Sequence, residues 1–124
     1  MSLPRLLWST RTPSRDRTYT VRDGAPIMDD VGKEMRQRIC QLCSIEFGHE
    51  IMQDWDKRDK GKKNYIIERV KDEFVPANEQ VSNDWIKSVM VSTMSHRKSE
   101  ARDACREGKA KPTWLDAAEW RQIQ

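Results

Sequence analysis

At 124 residues, with 36% hydrophobic and 35% charged side chains, the chain is long enough for one modest core but not for two. Its formal net charge of +3 is mild, and it excludes neither nucleic acid nor an acidic protein surface as a partner. No apolar run approaches the length of a membrane span, so we expect no membrane partner.

The cysteines and the N-terminal residues bear on the cellular compartment. Three cysteines (Cys40, Cys43, Cys105) are an odd number, and the apolar run Leu6-Leu7-Trp8 is far too short for a signal peptide. A reducing compartment follows, so we expect the nucleus, with the cytoplasm as the alternative. The first 15 residues, with arginines and hydroxyls but no acid, resemble an organellar transit peptide, although two prolines would interrupt its amphipathic helix.

The N-terminal part differs in composition from the rest. Residues 1–28 are rich in Pro, Gly, Ser, Thr and Arg, which predicts an extended or flexible arm with a short strand at residues 17–22. Residues 29–124 show helical periodicity and no convincing alternating strand, so we expect a single helical domain there. The predicted fold class is all-α, a compact bundle of four to five helices with an extended N-terminal arm.

Two helices are predicted in the first half of the domain. Asp29 or Asp30 caps a helix over residues 31–47. A helical turn over residues 50–55 and a charged loop over residues 56–63 are expected next. Asn64 then caps a second helix over residues 65–74.

Two further helices are predicted in the second half. Ser82 is a good N-cap for a long helix over residues 81–108, which Gly108 ends. Thr113, with Asp116 three residues on, resembles a capping box and opens a final short helix.

A basic stripe runs along the predicted long helix. Its positions follow at spacings of four, four and three, and at 100° per residue they share one narrow sector: Lys98, Arg102, Arg106 and Lys109. Like charges at such spacings repel by roughly 0.2–0.5 kcal/mol per pair, so a helix that needed only solubility would have mixed the signs. The acids Glu100, Asp103 and Glu107 lie on a separate sector, and this segregation predicts a polyanionic partner.

The densest basic run lies at residues 57–63, which hold five basic residues and one acid. A soluble loop is the plainer interpretation, and a nuclear-import signal or a phosphate-gripping loop are the functional ones. Combined with the stripe and Arg97, this run predicts a two-part phosphate-contacting surface, formed by Lys57, Arg58, Lys60, Lys62, Lys63, Arg97, Lys98, Arg102, Arg106 and Lys109.

No catalytic or metal-binding pattern is complete. Cys40 and Cys43 have the C-x2-C spacing of zinc and redox sites, but no second pair is present to complete a zinc site. We therefore interpret both as small apolar core residues. His49 and His96 have no nucleophile in a recognisable setting beside them, so we expect neither an enzyme nor a cofactor or metal.

Several segments of the chain resemble parts of two known families. A helix, a Trp, a helix ending in Phe and a basic helix follow one another here as Arg38-Ile39, Trp55, Val70-Lys71-Asp72-Glu73-Phe74, Trp85 and His96-Arg97-Lys98. This order resembles the helical region of plant transposase-derived proteins of the En/Spm (CACTA) type. The basic segment Arg102-Asp103-Ala104-Cys105-Arg106 resembles the end of the BEN domain, an all-helical DNA-binding and protein-binding module of chromatin factors. The resemblance covers about 75 residues and implies DNA binding through the last helices and adjacent basic loops, without catalysis.

The sequence thus predicts a non-catalytic domain that binds double-stranded DNA, more through phosphates than through bases. The alternative is a module for protein interaction or self-association, possible partners being another protein or a second copy of the chain. That module would use the Leu6-Leu7-Trp8 arm or the Trp-bearing C-terminal helix. A third interpretation is a metal-stapled domain built on the cysteine pair.

Overall fold

The part of the chain described by the computed structural model, residues 17–48 and 55–124, is mostly helical. These ranges hold four α-helices, α1 (Asp30–Phe47), α2 (Lys60–Glu73), α3 (Asn83–Arg106) and α4 (Ala117–Ile123), and a 3-10 turn at Trp55–Lys57. They also hold four two-residue strands, β1 (Thr18–Tyr19), β2 (Val21–Arg22), β3 (Ala25–Pro26) and β4 (Val75–Pro76). The predicted predominance of helix is confirmed, and the strands beyond residue 22 are an addition to it.

Helix α1 begins where the sequence predicts. Asp29 Oδ1 accepts a hydrogen bond from the Gly32 backbone N–H at 2.9 Å, which satisfies one of the first-turn donors that lack a partner within the helix. Met35 and Ile39 on its apolar face are fully buried. Gly32 is needed because a Cβ there would clash with the backbone carbonyl oxygen of Ile27.

Helix α2 begins earlier than predicted, so the expected loop over residues 56–63 and the cap at Asn64 are wrong. The N-cap is Asp59, whose Oδ1 accepts hydrogen bonds from Gly61 N at 2.7 Å and Lys62 N at 3.4 Å. A cap of this kind contributes about 1 kcal/mol, which offsets the similar cost of a glycine inside the first turn. Gly61 is therefore compatible with the first turn of this helix.

Helix α3 has the predicted caps at both ends. Ser82 Oγ accepts a hydrogen bond from the backbone N–H of Trp85 at 3.0 Å. At the other end the Gly108 N–H donates to the Cys105 carbonyl, and the next residue donates to the Ala104 carbonyl. This is the Schellman arrangement, which requires a residue with positive φ, and Gly108 supplies it at 71°.

The last helix is shorter than predicted, and the capping box at Thr113 is wrong. Helix α4 begins at Ala117 with Asp116 at its N-cap position and no side-chain hydrogen bond there. Before it, the Leu115 N–H donates to the Pro112 carbonyl at 3.1 Å. This turn buries the Leu115 side chain in the core, so the helix starts after that residue.

The strands fasten residues 17–28 to the helices. Strand β1 pairs in parallel with β4, and β2 pairs with β3 through a turn at Asp23 and Gly24, both of which have positive φ. Tyr19 and Val21 are buried, and the Asn78 side chain bonds both the N–H and the carbonyl of Val21 at 2.9 and 2.8 Å. Residues 1–16 of the predicted arm lie outside the described residues.

The core lies where α1, α2 and α3 meet, and α4 packs on α3. Four tryptophans are half-buried and packed against this core: Trp55, Trp85, Trp114 and Trp120. Within the described ranges, none of the helices is both long and apolar enough to cross a membrane.

Candidate nucleic-acid interface

Part of the predicted basic stripe is present on α3. Lys98 is half-buried and Arg102 is exposed, and neither forms an ion pair with another described residue. Arg106 is exposed as well, but its Nη1 lies 3.3 Å from Asp103 Oδ1. Its charge is thus partly compensated by a neighbour on its own helix.

Two other predicted contacts do not belong to this stripe. Lys109 lies beyond the end of α3, where the positive φ of Gly108 breaks the helical phase, and its Nζ pairs with Glu107 Oε2 at 2.8 Å. Arg97 is turned toward the C-terminal segment, with its Cζ 4.7 Å from the centre of the Trp114 ring. The stripe is therefore shorter than predicted, ending at Arg106.

Arg58 is buried, which corrects its predicted role as a phosphate contact. Its residue exposure is 3%, and its Cζ lies 5.5 Å from the centre of the Phe47 ring. A guanidinium in this position stacks on an aromatic core residue and is shielded from an external strand of DNA. Arg58 therefore supports the fold between α1 and the 3-10 turn.

The predicted Lys-rich loop is instead the 3-10 turn and the first turn of α2, and its lysines differ in exposure. Lys57 and Lys60 are exposed and form no ion pair with any residue in the described ranges. Lys62 Nζ donates to the Glu46 carbonyl at 3.2 Å, so this side chain is partly engaged in tying α2 to α1. Lys63 Nζ donates to the Trp55 carbonyl at 2.8 Å and lies 4.4 Å from the centre of that ring.

A cavity gathers part of this basic group together with a residue that the sequence did not single out. We call it the Trp55 pocket: it has a volume of about 330 Å³ and is lined by Trp55, Lys60, Lys63, Asn64 and Lys87. Lys87 comes from the second turn of α3 and is exposed. Three lysines from two helices thus line one concavity, and its described lining contains no carboxylate. In the sequence, Lys87 is a lone lysine ahead of the basic stripe, and nothing there links it to the lysines of α2.

A buried carboxylate, Glu73, was also missed by sequence reasoning. It accepts hydrogen bonds from Arg38 and Arg69, and Arg17 Nη1 lies 3.4 Å away from its Oε1. Burial acts to raise the pKa of the Glu73 carboxyl, but the hydrogen bonds from Arg38 and Arg69 hold it below the ordinary value. The cluster ties β1, α1 and α2 together.

The cysteine pair has the surroundings of core residues. Cys43 is fully buried, and burial together with the neighbouring Cys40 raises the pKa of its thiol to about 12. Cys40 Sγ lies 3.2 Å from Thr93 Oγ1. Among the described residues, no group of three or more His, Cys, Asp or Glu side chains is arranged to hold a metal ion. His96 is exposed with Nε2 3.1 Å from Glu100 Oε1, and His49 lies outside the described residues.

A second concavity lies between α1 and α3. It has a volume of about 550 Å³ and is lined by Gln37, Cys40, Gln41, Ser44, Ile45 and Arg97. Ile45 on its rim is 65% exposed, the largest exposure among the large apolar side chains of the described residues. We call this feature the α1 groove.

Comparison with protein-family models, with curated proteins and with solved structures finds no match for this chain. The resemblance to En/Spm-type transposase-derived proteins and to the BEN domain therefore stays a prediction from sequence. The functional argument consequently depends on the geometry of this structure.

Proposed function

We propose that this protein binds double-stranded DNA without catalysing a reaction, chiefly through contacts to phosphates, and that it does so in the nucleus. The observation that supports this most strongly is a group of cations without an ion-pair partner in the described ranges, which we call the basic surface: Lys57, Lys60, Lys87, Lys98 and Arg102. Lys98 and Arg102 lie four residues apart on α3, where like charges repel by roughly 0.2–0.5 kcal/mol, so helix stability alone does not explain this pair. In this proposal the helices act as one compact bundle that presents the basic surface.

The helical phase of α3 supports a continuous surface. Lys87, Lys98 and Arg102 fall within a sector of about 60° at 100° per residue. The Trp55 pocket brings Lys60 next to Lys87, so the basic residues of α2 adjoin the N-terminal end of this flank. Asp84, in the first turn of α3, lies at the same angular position around the helix as Arg102. It is the acidic residue of α3 that falls within the sector of Lys87, Lys98 and Arg102.

Salt dependence provides the first test. A protein that neutralises about five phosphates should lose affinity with a slope of about −4 to −5 in a plot of log K against log salt concentration. We would measure binding of a random-sequence duplex by mobility shift over a series of salt concentrations. A slope near zero would remove phosphate contact as the mode of binding.

Charge reversal provides the second test. Lys98→Glu combined with Arg102→Glu should weaken duplex binding by about 10-fold or more, because two phosphate contacts become repulsive. The matched control is Lys33→Glu with Arg36→Glu, the same charge change at exposed positions of α1. Circular dichroism should be unchanged in both variants. Equal loss in the two variants would show that net charge, and not this surface, controls binding.

A second candidate function, protein interaction or self-association, is favoured by the α1 groove. An exposed Ile45 beside a concavity of about 550 Å³ is the kind of apolar feature that protein partners cover. The routes expected from sequence have less support: Trp114 and Trp120 are packed against the core, and Leu6-Leu7-Trp8 lies outside the described residues. Sedimentation of the wild type and of Ile45→Glu tests self-association. A wild type that stays monomeric at high concentration excludes it.

A further inference from the structure

The Trp55 pocket differs in shape from the rest of the basic surface. A phosphate of a continuous duplex meets a protein on its outer surface, where it touches one or two cations. The pocket is instead a concavity of about 330 Å³ that is lined by three lysines, Lys60, Lys63 and Lys87. That volume lies at the lower end of the range in which proteins enclose small ligands. The ligand that fits it must therefore be a chain end or a small anionic group.

The donors in the pocket are open to such a ligand. Lys60 and Lys87 form no ion pair with any residue in the described ranges. Lys63 donates one of its three N–H groups to the Trp55 carbonyl at 2.8 Å, which leaves two N–H groups for a ligand. The nearby Asp59 carboxylate accepts hydrogen bonds from Gly61 N and Lys62 N as the helix cap, and it is not part of the pocket lining.

We propose that the Trp55 pocket binds the terminal 5′-phosphate of a nucleic-acid strand, an inference that rests on the DNA binding proposed above. The charge of the ligand is the first reason. An internal phosphodiester carries one negative charge, whereas a phosphomonoester carries about −1.5 to −2 at pH 7. Three lysines lining one concavity match the second better than the first, and charge-assisted hydrogen bonds to it are strong.

The aromatic wall is the second reason. Trp55 lines the pocket beside the lysines, and the part of its ring that Lys63 does not cover is the surface on which a base next to the phosphate would stack. Stacking of this kind accepts every base, and among the lining side chains Asn64 alone offers both a hydrogen-bond donor and an acceptor. The pocket should thus recognise the end of a strand irrespective of its sequence.

Two duplexes of one sequence, each labelled with fluorescein at a 3′ end, test this inference. One carries 5′-phosphates and the other 5′-hydroxyls, and binding is followed by fluorescence anisotropy at a fixed salt concentration. We expect the wild type to bind the phosphorylated duplex about 10-fold more tightly. Lys60→Gln combined with Lys87→Gln should abolish this preference. Lys98→Gln combined with Arg102→Gln is the matched control, which should weaken both complexes and keep the preference.

The other outcomes separate this inference from the proposed function. Equal affinity of the wild type for both duplexes overturns end recognition and leaves DNA binding in place. No binding of either duplex overturns both. A preference that survives Lys60→Gln with Lys87→Gln overturns the assignment to this pocket. Tighter binding of a phosphoserine peptide than of the phosphorylated duplex overturns the assignment to nucleic acid.

Discussion

Arg38 holds the buried carboxylate of Glu73 through two parallel hydrogen bonds, from Nε to Oε1 at 2.9 Å and from Nη2 to Oε2 at 3.0 Å. Arg69, one turn before Glu73 in α2, donates to the same carboxylate. Arg17 approaches it from the start of β1 and also pairs with Glu34 at 2.7 Å. The Glu73 side chain therefore joins α1, α2 and the residue that precedes β1, which are far apart in sequence.

Removal of this charge should destabilise the protein strongly. In Glu73→Gln the arginines lose their common counterion, and the loss of one partner of a buried ion pair costs about 3–5 kcal/mol. We expect roughly 3 kcal/mol, because the arginines retain some access to water. Urea unfolding followed by circular dichroism measures the change. Glu34→Gln, which removes the more exposed partner of Arg17, should cost less than about 1 kcal/mol. Equal losses would contradict a central role for Glu73.

The stability supplied by Glu73 should depend on pH in the acid range. Burial opposes ionisation of Glu73, but hydrogen bonds from Arg38 and Arg69 outweigh it and hold the pKa of the carboxyl below its ordinary 4.5. A carboxyl with a lowered folded-state pKa stabilises the fold above its unfolded-state pKa and loses that contribution as the pH falls through the folded-state value.

The wild type and Glu73→Gln should therefore converge on acidification. We expect the difference in their unfolding free energies to be constant from about pH 7 to about pH 5, and to shrink at lower pH. Urea unfolding of both proteins over this range measures it. A difference that grows on acidification would rule out an ionised Glu73 as the source.

Tyr19→Phe should also destabilise the fold, although it removes only one oxygen atom. The Tyr19 hydroxyl accepts a hydrogen bond from the Val81 N–H at 3.2 Å in the buried core. Without it the buried N–H lacks this acceptor, which costs about 1–3 kcal/mol. Thermal unfolding should show a lower midpoint. Tyr65→Phe is the control at an exposed tyrosine and should change stability by less than about 0.5 kcal/mol.

Tyr19 also illustrates which parts of the fold the sequence could predict. Caps such as Asp29 and Ser82 were predicted because the capping residue and its helix lie within one turn of sequence. The contacts of Tyr19 with Val81 and of Glu73 with Arg38 are set by tertiary packing over more than 30 residues, for which a single sequence carries no local signal. Asp59 was missed for a different reason, since the charged run over residues 56–63 predicted a loop.

The candidate site was predicted unevenly for the same reason. Lys98, Arg102 and Arg106 lie on one helix, so their spacing alone gave their common flank. Lys87 joins Lys60 only because α2 and α3 pack together, and the sequence could not show that juxtaposition. The burial of Arg58 was equally hidden, since nothing in a run of basic residues reveals which one turns inward.

Thiol modification should distinguish the three cysteines. Cys43 is buried with the pKa of its thiol raised to about 12, whereas Cys40 and Cys105 are half-buried. Because the thiolate is the reactive form, we expect a maleimide to label Cys43 at least about 100-fold more slowly than the other two in the folded protein. Peptide mass spectrometry over time measures each site, and urea should remove the difference. Rapid formation of a Cys40–Cys43 disulfide under mild oxidation would instead restore the redox interpretation.

Two arginines one turn apart on α3 should differ in their contribution to DNA binding. Arg102 forms no ion pair with another described residue, whereas Arg106 Nη1 lies 3.3 Å from Asp103 Oδ1. A cation that already has a carboxylate neighbour gains less from a phosphate, because it must give up or share that partner. Arg102→Gln should therefore reduce the magnitude of the salt slope by about 1, and Arg106→Gln by less. Fluorescence anisotropy with a random duplex over a salt series measures both slopes.

Asp103→Asn supplies the converse variant: it should raise the contribution of Arg106 to that of Arg102. A larger effect of Arg106→Gln than of Arg102→Gln in the wild-type background would show that the pairing with Asp103 does not persist in solution.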